Sequence, residues 1–344
     1  MLSTIIAKRN ALMAKFSKVN VNEIQDAELR GKAKKLKAKQ GGFTLLELLV
    51  VVAILAAIAG TATISLSEAE KQTRSGLHAS MMDGLTKALH TFPVLNNGQF
   101  PKYMDSMLNL DGTALAGVAL TLNSVPSTVN SAQVVGGENS VMPLDATKFG
   151  ALKLTAALKD GLAGTGLDQV MALDYNSDAN CASIGAGTLG ADLENGVRSI
   201  NNLFRTSTAG GCGAVHTVLE DDFLVAYEGK LQPLMGVNAV DFDGASFTVD
   251  DAGAITAGFV GGPVVVALGL GPSASLFDPN AVGGMTATPN YRGGTKIQYN
   301  RFLGLFKIGT LISNTAAESS DVKFMGVISP DGTFVSEELV KYQG

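Results

Sequence analysis

The chain contains a stretch of 20 residues, Leu48 to Ser67, that carries no formal charge. A helix of this length is about long enough to cross the ~30 Å hydrocarbon core of a bilayer. Only a helix or a closed barrel satisfies its own backbone hydrogen bonds there, so one isolated segment must be a helix. An acidic residue, Glu47, stands at the mouth of this stretch. A carboxylate in lipid costs roughly 2.5–3.5 kcal/mol or more, so Glu47 is predicted to have a function.

The residues around Glu47 form a motif. The sequence Gly42-Phe43-Thr44-Leu45-Leu46-Glu47, followed by the apolar run, resembles the processing and assembly segment of type IV prepilins and their pseudopilin relatives. The resemblance implies that a membrane aspartyl peptidase cuts between Gly42 and Phe43, and that the new N-terminal Phe43 is then N-methylated. The leader departs from the family because many prepilin leaders are shorter, and because Gly41 stands where a Lys or Arg is common.

Cleavage at this bond would place two opposite charges close together in an apolar environment. The new amine of Phe43 would be positive, and Glu47 would be negative. Two charges in a low dielectric are tolerated when they are paired. We therefore expect Glu47 to meet the Phe43 amine of an adjacent subunit during assembly.

Charge is distributed unevenly on the two sides of the uncharged stretch. Residues 1–42 contain ten Lys or Arg and three Asp or Glu, a net charge of +7, and the rest of the chain carries −12. Basic residues before a span and acidic residues after it predict a cytoplasmic N-terminus and an exported C-terminal part. The net negative charge of the predicted exported part does not favour binding of nucleic acid, which is itself negatively charged.

Residues 1–42 are predicted to be a basic leader that is removed by cleavage. Its second part, Arg30 to Lys39, contains five lysines. Two interpretations fit this composition equally well. It is either a short amphipathic helix on the anionic inner leaflet or a solvated basic tail that only fixes orientation.

Residues 43–92 are predicted to form one long spine helix that ends before Pro93. Its first part, 43–67, is apolar all round and suits a membrane or a filament core. Its second part, 68–92, has apolar residues at mostly three- and four-residue spacing, which is typical of a helix with one buried face. This division of one helix favours a filament subunit, and the resemblance implies the same spine and head.

Residues 93–344 are predicted to be an exported head of the α+β class. From Val215 onward, short apolar runs alternate with turn sequences, which predicts an antiparallel sheet on the spine helix. Val264 to Leu268 is predicted to be a central strand, and Phe247 to Val249 a strand with a tight turn after it. Small helices are expected at residues 146–160 and 191–204 and at the tail, Glu337 to Tyr342.

The two cysteines, Cys181 and Cys212, both lie in the predicted head. Export to an oxidising compartment favours a disulfide over two free thiols. The loop of about 32 residues would contribute roughly 3–4 kcal/mol to stability. No metal or cofactor site is predicted, with one candidate kept open: Asp174, Asn176, Asp178 and Asn180 alternate as oxygen donors, as calcium loops begin. An Asx-rich turn is the favoured interpretation, because Ala179 and Gly185 stand where a calcium loop has Gly and Glu.

The sequence as a whole predicts a structural subunit of a type IV pilus or pseudopilus that performs no chemistry itself. The partners that the resemblance implies are a prepilin peptidase with methylase activity, an assembly ATPase, an inner-membrane platform and sister subunits. The protein would lie in the inner membrane before assembly, and in a cell-surface or periplasmic filament afterwards. The alternative is an exported enzyme or binding protein, such as a hydrolase or lectin, anchored by an uncleaved N-terminus.

Overall fold

The computed structural model describes residues 15, 20–38, 45–109, 148–174, 176–185, 191–199, 202–231, 246–250, 253–280, 285, 287–291 and 300–343. The chain divides into two compact units, Met1–Ala69 and Glu70–Gly344. The α-helices of the described residues are α1 (Ala27–Ala38), α2 (Leu45–Leu95), α3 (Ala156–Leu162), α4 (Ala179–Gly185), α5 (Ala191–Glu194) and α6 (Val335–Gln343).

The described strands all belong to the second unit. They are β1 (Met104–Asn109), β2 (Phe149–Lys153), β3 (Gln169–Leu173), β4 (Gly213–Thr217), β5 (Phe223–Tyr227), β6 (Phe247–Val249), β7 (Ile255–Gly258), β8 (Pro263–Gly269), β9 (Leu303–Leu311) and β10 (Ala317–Ile328).

Eight of these strands form one sheet in the order β10-β9-β8-β1-β3-β4, and β5 joins it by pairing with both β8 and β2. All the pairs are antiparallel except β1 with β3. Strands β6 and β7 form a separate antiparallel hairpin. The long N-terminal helix, the mostly antiparallel sheet and the small helices confirm the α+β class.

Strand β8 lies at the centre of the core. All seven of its residues are buried, as expected for a continuous apolar run with both faces of the sheet covered. Alternate residues point to opposite faces. Val265 and Ala267 therefore join the cluster that contains Cys181 and Cys212, and Val266 joins the cluster on the other face.

The second part of α2 packs into that other face. Met82, Leu85, Leu89 and Phe92 are buried there. Their spacing of three, four and three residues puts them on one side of a helix. The buried side begins at His78, whereas residues 68–74 and Leu77 are exposed.

The helix extends further than the sequence predicts. Pro93 lies inside α2, which continues to Leu95. Pro93 has no N–H to donate to the Leu89 carbonyl, so it removes one hydrogen bond from the last turns of the helix. The end is closed instead by Asn96, whose backbone nitrogen donates to the Phe92 carbonyl at 3.0 Å, and by Gly98, whose nitrogen donates to the Pro93 carbonyl at 2.8 Å.

Two of the predicted small helices are wrong in part. In residues 146–160 the apolar positions Phe149 and Leu152 belong to strand β2, which pairs with β5 along its whole length, and only α3 is helical. In residues 191–204 the helix stops at Glu194, and Gly196 adopts a φ of 71° that ends it. The central strand at residues 264–268, the strand at 247–249 and the helix at the tail are confirmed.

Candidate functional site

The predicted processing segment stands at the start of α2. Gly42 and Phe43 lie outside the described residues. Glu47 is described as part of α2, two residues after the helix begins at Leu45. The acid therefore belongs to the same rigid element as the apolar run that follows it.

The apolar run forms an uncovered helical surface. Every described side chain from Leu48 to Arg74 is exposed, including Leu55 and Ile58, each at 59%. The described residues contain one helix that is long and apolar enough to cross a membrane, Leu48–Leu95, and its most apolar window is not buried. Apolar surface of this extent marks a membrane or an interaction site.

Three hydroxyl groups within this surface are bonded to their own helix. Thr61 donates to the Ile58 carbonyl at 3.0 Å, Thr63 to the Ala59 carbonyl at 2.8 Å, and Ser67 to the Ile64 carbonyl at 3.1 Å. Such bonds satisfy polar groups that no water reaches. These three positions are therefore compatible with an environment without water.

The end of the apolar surface is marked by charged residues. Glu68, Glu70, Lys71 and Arg74 are all exposed. Arg74 pairs with Glu70 one helical turn away. Four residues beyond Arg74, at His78, the helix becomes buried.

His78 attaches this part of α2 to the C-terminal helix. Its ring is 5% exposed, and the ring centroid lies 4.5 Å from that of Tyr291. Its Nδ1 lies 3.9 Å from the Glu338 carboxylate. Glu338 also accepts hydrogen bonds from the hydroxyls of Tyr291 at 3.2 Å and Thr333 at 2.9 Å. The buried acid thus joins α2, α6 and a loop.

The predicted disulfide is confirmed. Cys181 and Cys212 are bonded, with their Cα atoms 5.7 Å apart, and both are buried. The guanidinium of Arg198 lies across the bond, with Nη1 3.1 Å from the Cys181 sulfur and 3.7 Å from the Cys212 sulfur. The same group forms ion pairs with Asp178 and Asp192, and so holds the segments around the disulfide together.

The oxygen donors of the calcium candidate are engaged in local hydrogen bonds. Asp174 accepts from the nitrogen of Asn176 at 2.9 Å. Asp178 caps α4 by accepting from the nitrogens of Asn180 at 2.9 Å and Cys181 at 3.1 Å, while its other oxygen pairs with Arg198. A guanidinium at this carboxylate opposes a bound cation, so the geometry favours the Asx-turn interpretation of this segment. Within the described ranges no group of three or more His, Cys, Asp or Glu side chains is arranged to hold a metal.

The ion pair changes the acidity of Asp178. The hydrogen bond from Arg198 lowers the pKa of the Asp178 carboxyl, and the capping hydrogen bonds and the positive charge act in the same direction, against the opposing effect of burial. The carboxylate is therefore charged over a wider pH range than a free aspartate.

A second buried pair joins His216 to Asp222. The two side chains are 2.6 Å apart, and 4% and 0% exposed. The same Asp222 oxygen accepts the backbone nitrogen of Leu219 at 2.7 Å. These bonds fix the turn between β4 and β5, so both residues serve the fold.

Comparison with known proteins assigns the N-terminal segment. A family model for the prokaryotic N-terminal methylation motif matches residues 37–63. The match includes Gly42, Phe43 and Glu47 and most of the uncharged stretch, and it is the signature of type IV prepilin leaders. The N-terminal segment thus carries the prepilin methylation signature, and the motif implies processing by a prepilin peptidase. No curated protein and no solved structure matches the chain.

Proposed function

We propose that this protein is a structural subunit of a type IV pilus or pseudopilus. It is cut between Gly42 and Phe43, methylated on Phe43, and polymerised through the apolar surface of α2. The observation that carries the proposal is that the methylation motif continues into a single helix, whose first part is exposed on all sides and whose second part is buried in the second unit.

Anchoring alone would not require this arrangement. A helix needs only about 20 apolar residues to cross a bilayer, and a flexible linker would then suffice. Here α2 runs without a break from Leu45 to Leu95. A continuous helix lets contacts between apolar surfaces set the positions of the attached globular units, which is what a filament requires.

Glu47 supplies the specific contact in this scheme. In the membrane its charge is costly, and a neighbouring Phe43 amine would compensate for it. Transfer from lipid to a filament of identical helices therefore gains an ion pair without exposing apolar surface to water.

The proposed route starts in the inner membrane with the N-terminus in the cytoplasm. The basic residues 1–42 support this orientation, and the disulfide is compatible with an exported second unit. The partners are a prepilin peptidase with methylase activity, an assembly ATPase, a membrane platform and sister subunits. The role is structural, in a cell-surface or periplasmic filament, and includes no reaction of its own.

Mass spectrometry of the mature N-terminus tests processing. Expression with a prepilin peptidase should give a chain that begins at N-methylated Phe43. An intact Met1, or a cut at another bond, would overturn the proposal and favour the anchored enzyme or binding protein.

A substitution at Glu47 tests assembly. We expect Glu47→Ala to be cleaved yet to yield few or no filaments by electron microscopy of sheared cells, because the Phe43 amine loses its partner. Glu68→Ala, which removes an exposed acid beyond the uncharged stretch, should assemble normally. Filaments of normal number and length from Glu47→Ala would contradict the pairing.

A further inference from the structure

Helix α1 has an apolar stripe flanked by basic side chains. At about 100° per residue, Leu29 and Ala33 lie about 40° apart on one side of the helix. Lys32 lies beside this stripe, about 60° from Leu29, and Lys34 and Lys35 lie on the opposite face. Leu29 is 57% exposed, and Lys32, Lys34 and Lys35 are exposed as well.

The start of this helix is fixed locally. Asp26 accepts hydrogen bonds from the backbone nitrogens of Glu28 at 2.8 Å and Leu29 at 3.1 Å, which is an N-terminal cap. The Arg30 side chain donates to the Ile24 carbonyl at 2.7 Å. Glu28 pairs with Lys32 at 2.8 Å, so the acid of the first turn also supports the helix.

The chain limits how far α1 can lie from the membrane. Six residues separate Ala38, the end of α1, from Leu45, the start of α2. Even fully extended, they span no more than about 25 Å. Because the uncharged stretch begins three residues further on, at Leu48, the C-terminal end of α1 lies within about 30 Å of any bilayer that this stretch enters.

We propose that α1 lies on the anionic surface of that bilayer, with its apolar stripe toward the acyl chains and its lysines on the lipid phosphates. Basic amphipathic helices bind such surfaces through apolar burial and charge together.

The observations favour lipid over an acidic protein or nucleic acid. The lysines of α1 alone would suit any polyanion. The exposed apolar side chain of Leu29, however, would not be buried by binding to a polyanion in water, whereas acyl chains would bury it. The short connection to α2 keeps the end of α1 near the bilayer in every copy whose uncharged stretch is inserted there. That this surface is the cytoplasmic leaflet rests on the function proposed above, whereas contact with lipid requires only that α2 enters a bilayer.

The test uses the uncleaved full chain, made without prepilin peptidase, in nanodiscs of phosphatidylcholine with or without phosphatidylglycerol. One nitroxide label is placed at Ala33→Cys on the stripe, or at Gly31→Cys on the opposite face, where an added Cβ meets no atom within 4 Å. Both native cysteines are in the disulfide, so they do not take the label. Nanodiscs expose both leaflets, so the result is independent of orientation and processing.

We expect the Ala33→Cys label to lose several-fold of its accessibility to an aqueous relaxation agent when phosphatidylglycerol is present. The Gly31→Cys label should remain accessible in both lipids. Replacing Lys32, Lys34 and Lys35 by glutamine should restore the accessibility of the stripe label, because each basic residue contributes to binding. Replacing the exposed Lys71, Lys87 and Lys323 by glutamine removes the same charge elsewhere and should have no effect.

An Ala33→Cys label that stays fully accessible in the anionic nanodiscs would overturn the proposal and leave a solvated tail. Equal protection of the label in the two lipids, or protection that survives the three glutamine substitutions, would overturn its electrostatic basis. If protection instead appears only when an acidic protein is added, that protein, and not lipid, is the partner.

Discussion

The two parts of α2 are both helical, but the side chains of the first are exposed and several of the second are buried. From Leu48 to Arg74 every side chain is exposed, whereas His78, Met82, Leu85, Leu89 and Phe92 are buried. The first part is apolar on all sides as far as Ser67, and the second is apolar on one side. The distribution of apolar residues around the axis therefore distinguishes a helix that needs an external apolar partner from one that is completed within its own chain.

The largest expected effect is a difference in unfolding free energy between leucine-to-alanine substitutions in the two parts of α2. Leu85→Ala should lower the free energy of unfolding of the second unit by about 2–5 kcal/mol, because Leu85 is fully buried. Leu55→Ala, at a position 59% exposed, should change it by no more than about 0.5 kcal/mol. Urea unfolding of the detergent-solubilised full chain measures both. Equal effects would show that the two parts do not differ in their role in the fold.

A smaller effect is expected where α2 meets the C-terminal helix. Glu338→Ala removes a buried acceptor shared by Tyr291 and Thr333 beside His78. We expect a loss of about 1–3 kcal/mol of unfolding free energy, since buried donors lose a partner. Glu318→Ala, an exposed acid on β10, should be nearly neutral. A neutral Glu338→Ala would mean that apolar packing alone holds this part of α2.

The smallest expected effect is a pH dependence of stability that the region around the disulfide has and the uncharged stretch lacks. The Arg198 ion pair lowers the pKa of Asp178 in the folded state, so its stabilisation is present above the unfolded pKa and is lost as pH falls through the folded value. The difference in unfolding free energy between the wild type and Asp178→Asn, measured by urea unfolding, should therefore shrink from about 1 kcal/mol at about pH 6 as the pH falls to about 2.5. The uncharged stretch has no titrating group between Leu48 and Ser67, so it contributes no such pH dependence. A constant difference in unfolding free energy would argue against the ion pair.

Local patterns made much of this protein predictable. The uncharged stretch, the processing motif and the buried strand β8 are each encoded within a short run of residues. The disulfide between Cys181 and Cys212 was predictable because the head is expected in an oxidising compartment and the chain contains no other cysteine.

Contacts between distant residues were not predictable from such patterns. His78 and Glu338 are separated by most of the head, and neither has a neighbour in sequence that indicates the other. Arg198 lies in the segment 191–204 that the sequence predicts to be helical, and its role depends on the fold bringing Asp178 and the disulfide beside it. Phe149 and Leu152 fit a helical spacing as well as a strand, and only pairing with β5 decides between the two.

The hydroxyls of Thr61, Thr63 and Ser67 have a consequence for how copies of α2 meet. Because each donates to a carbonyl of its own helix, none has its proton available for a neighbour. At these positions, two such helices side by side would offer no directional contact, so one could slide past the other at little cost. The axial offset between copies would then be decided by the acid at Glu47.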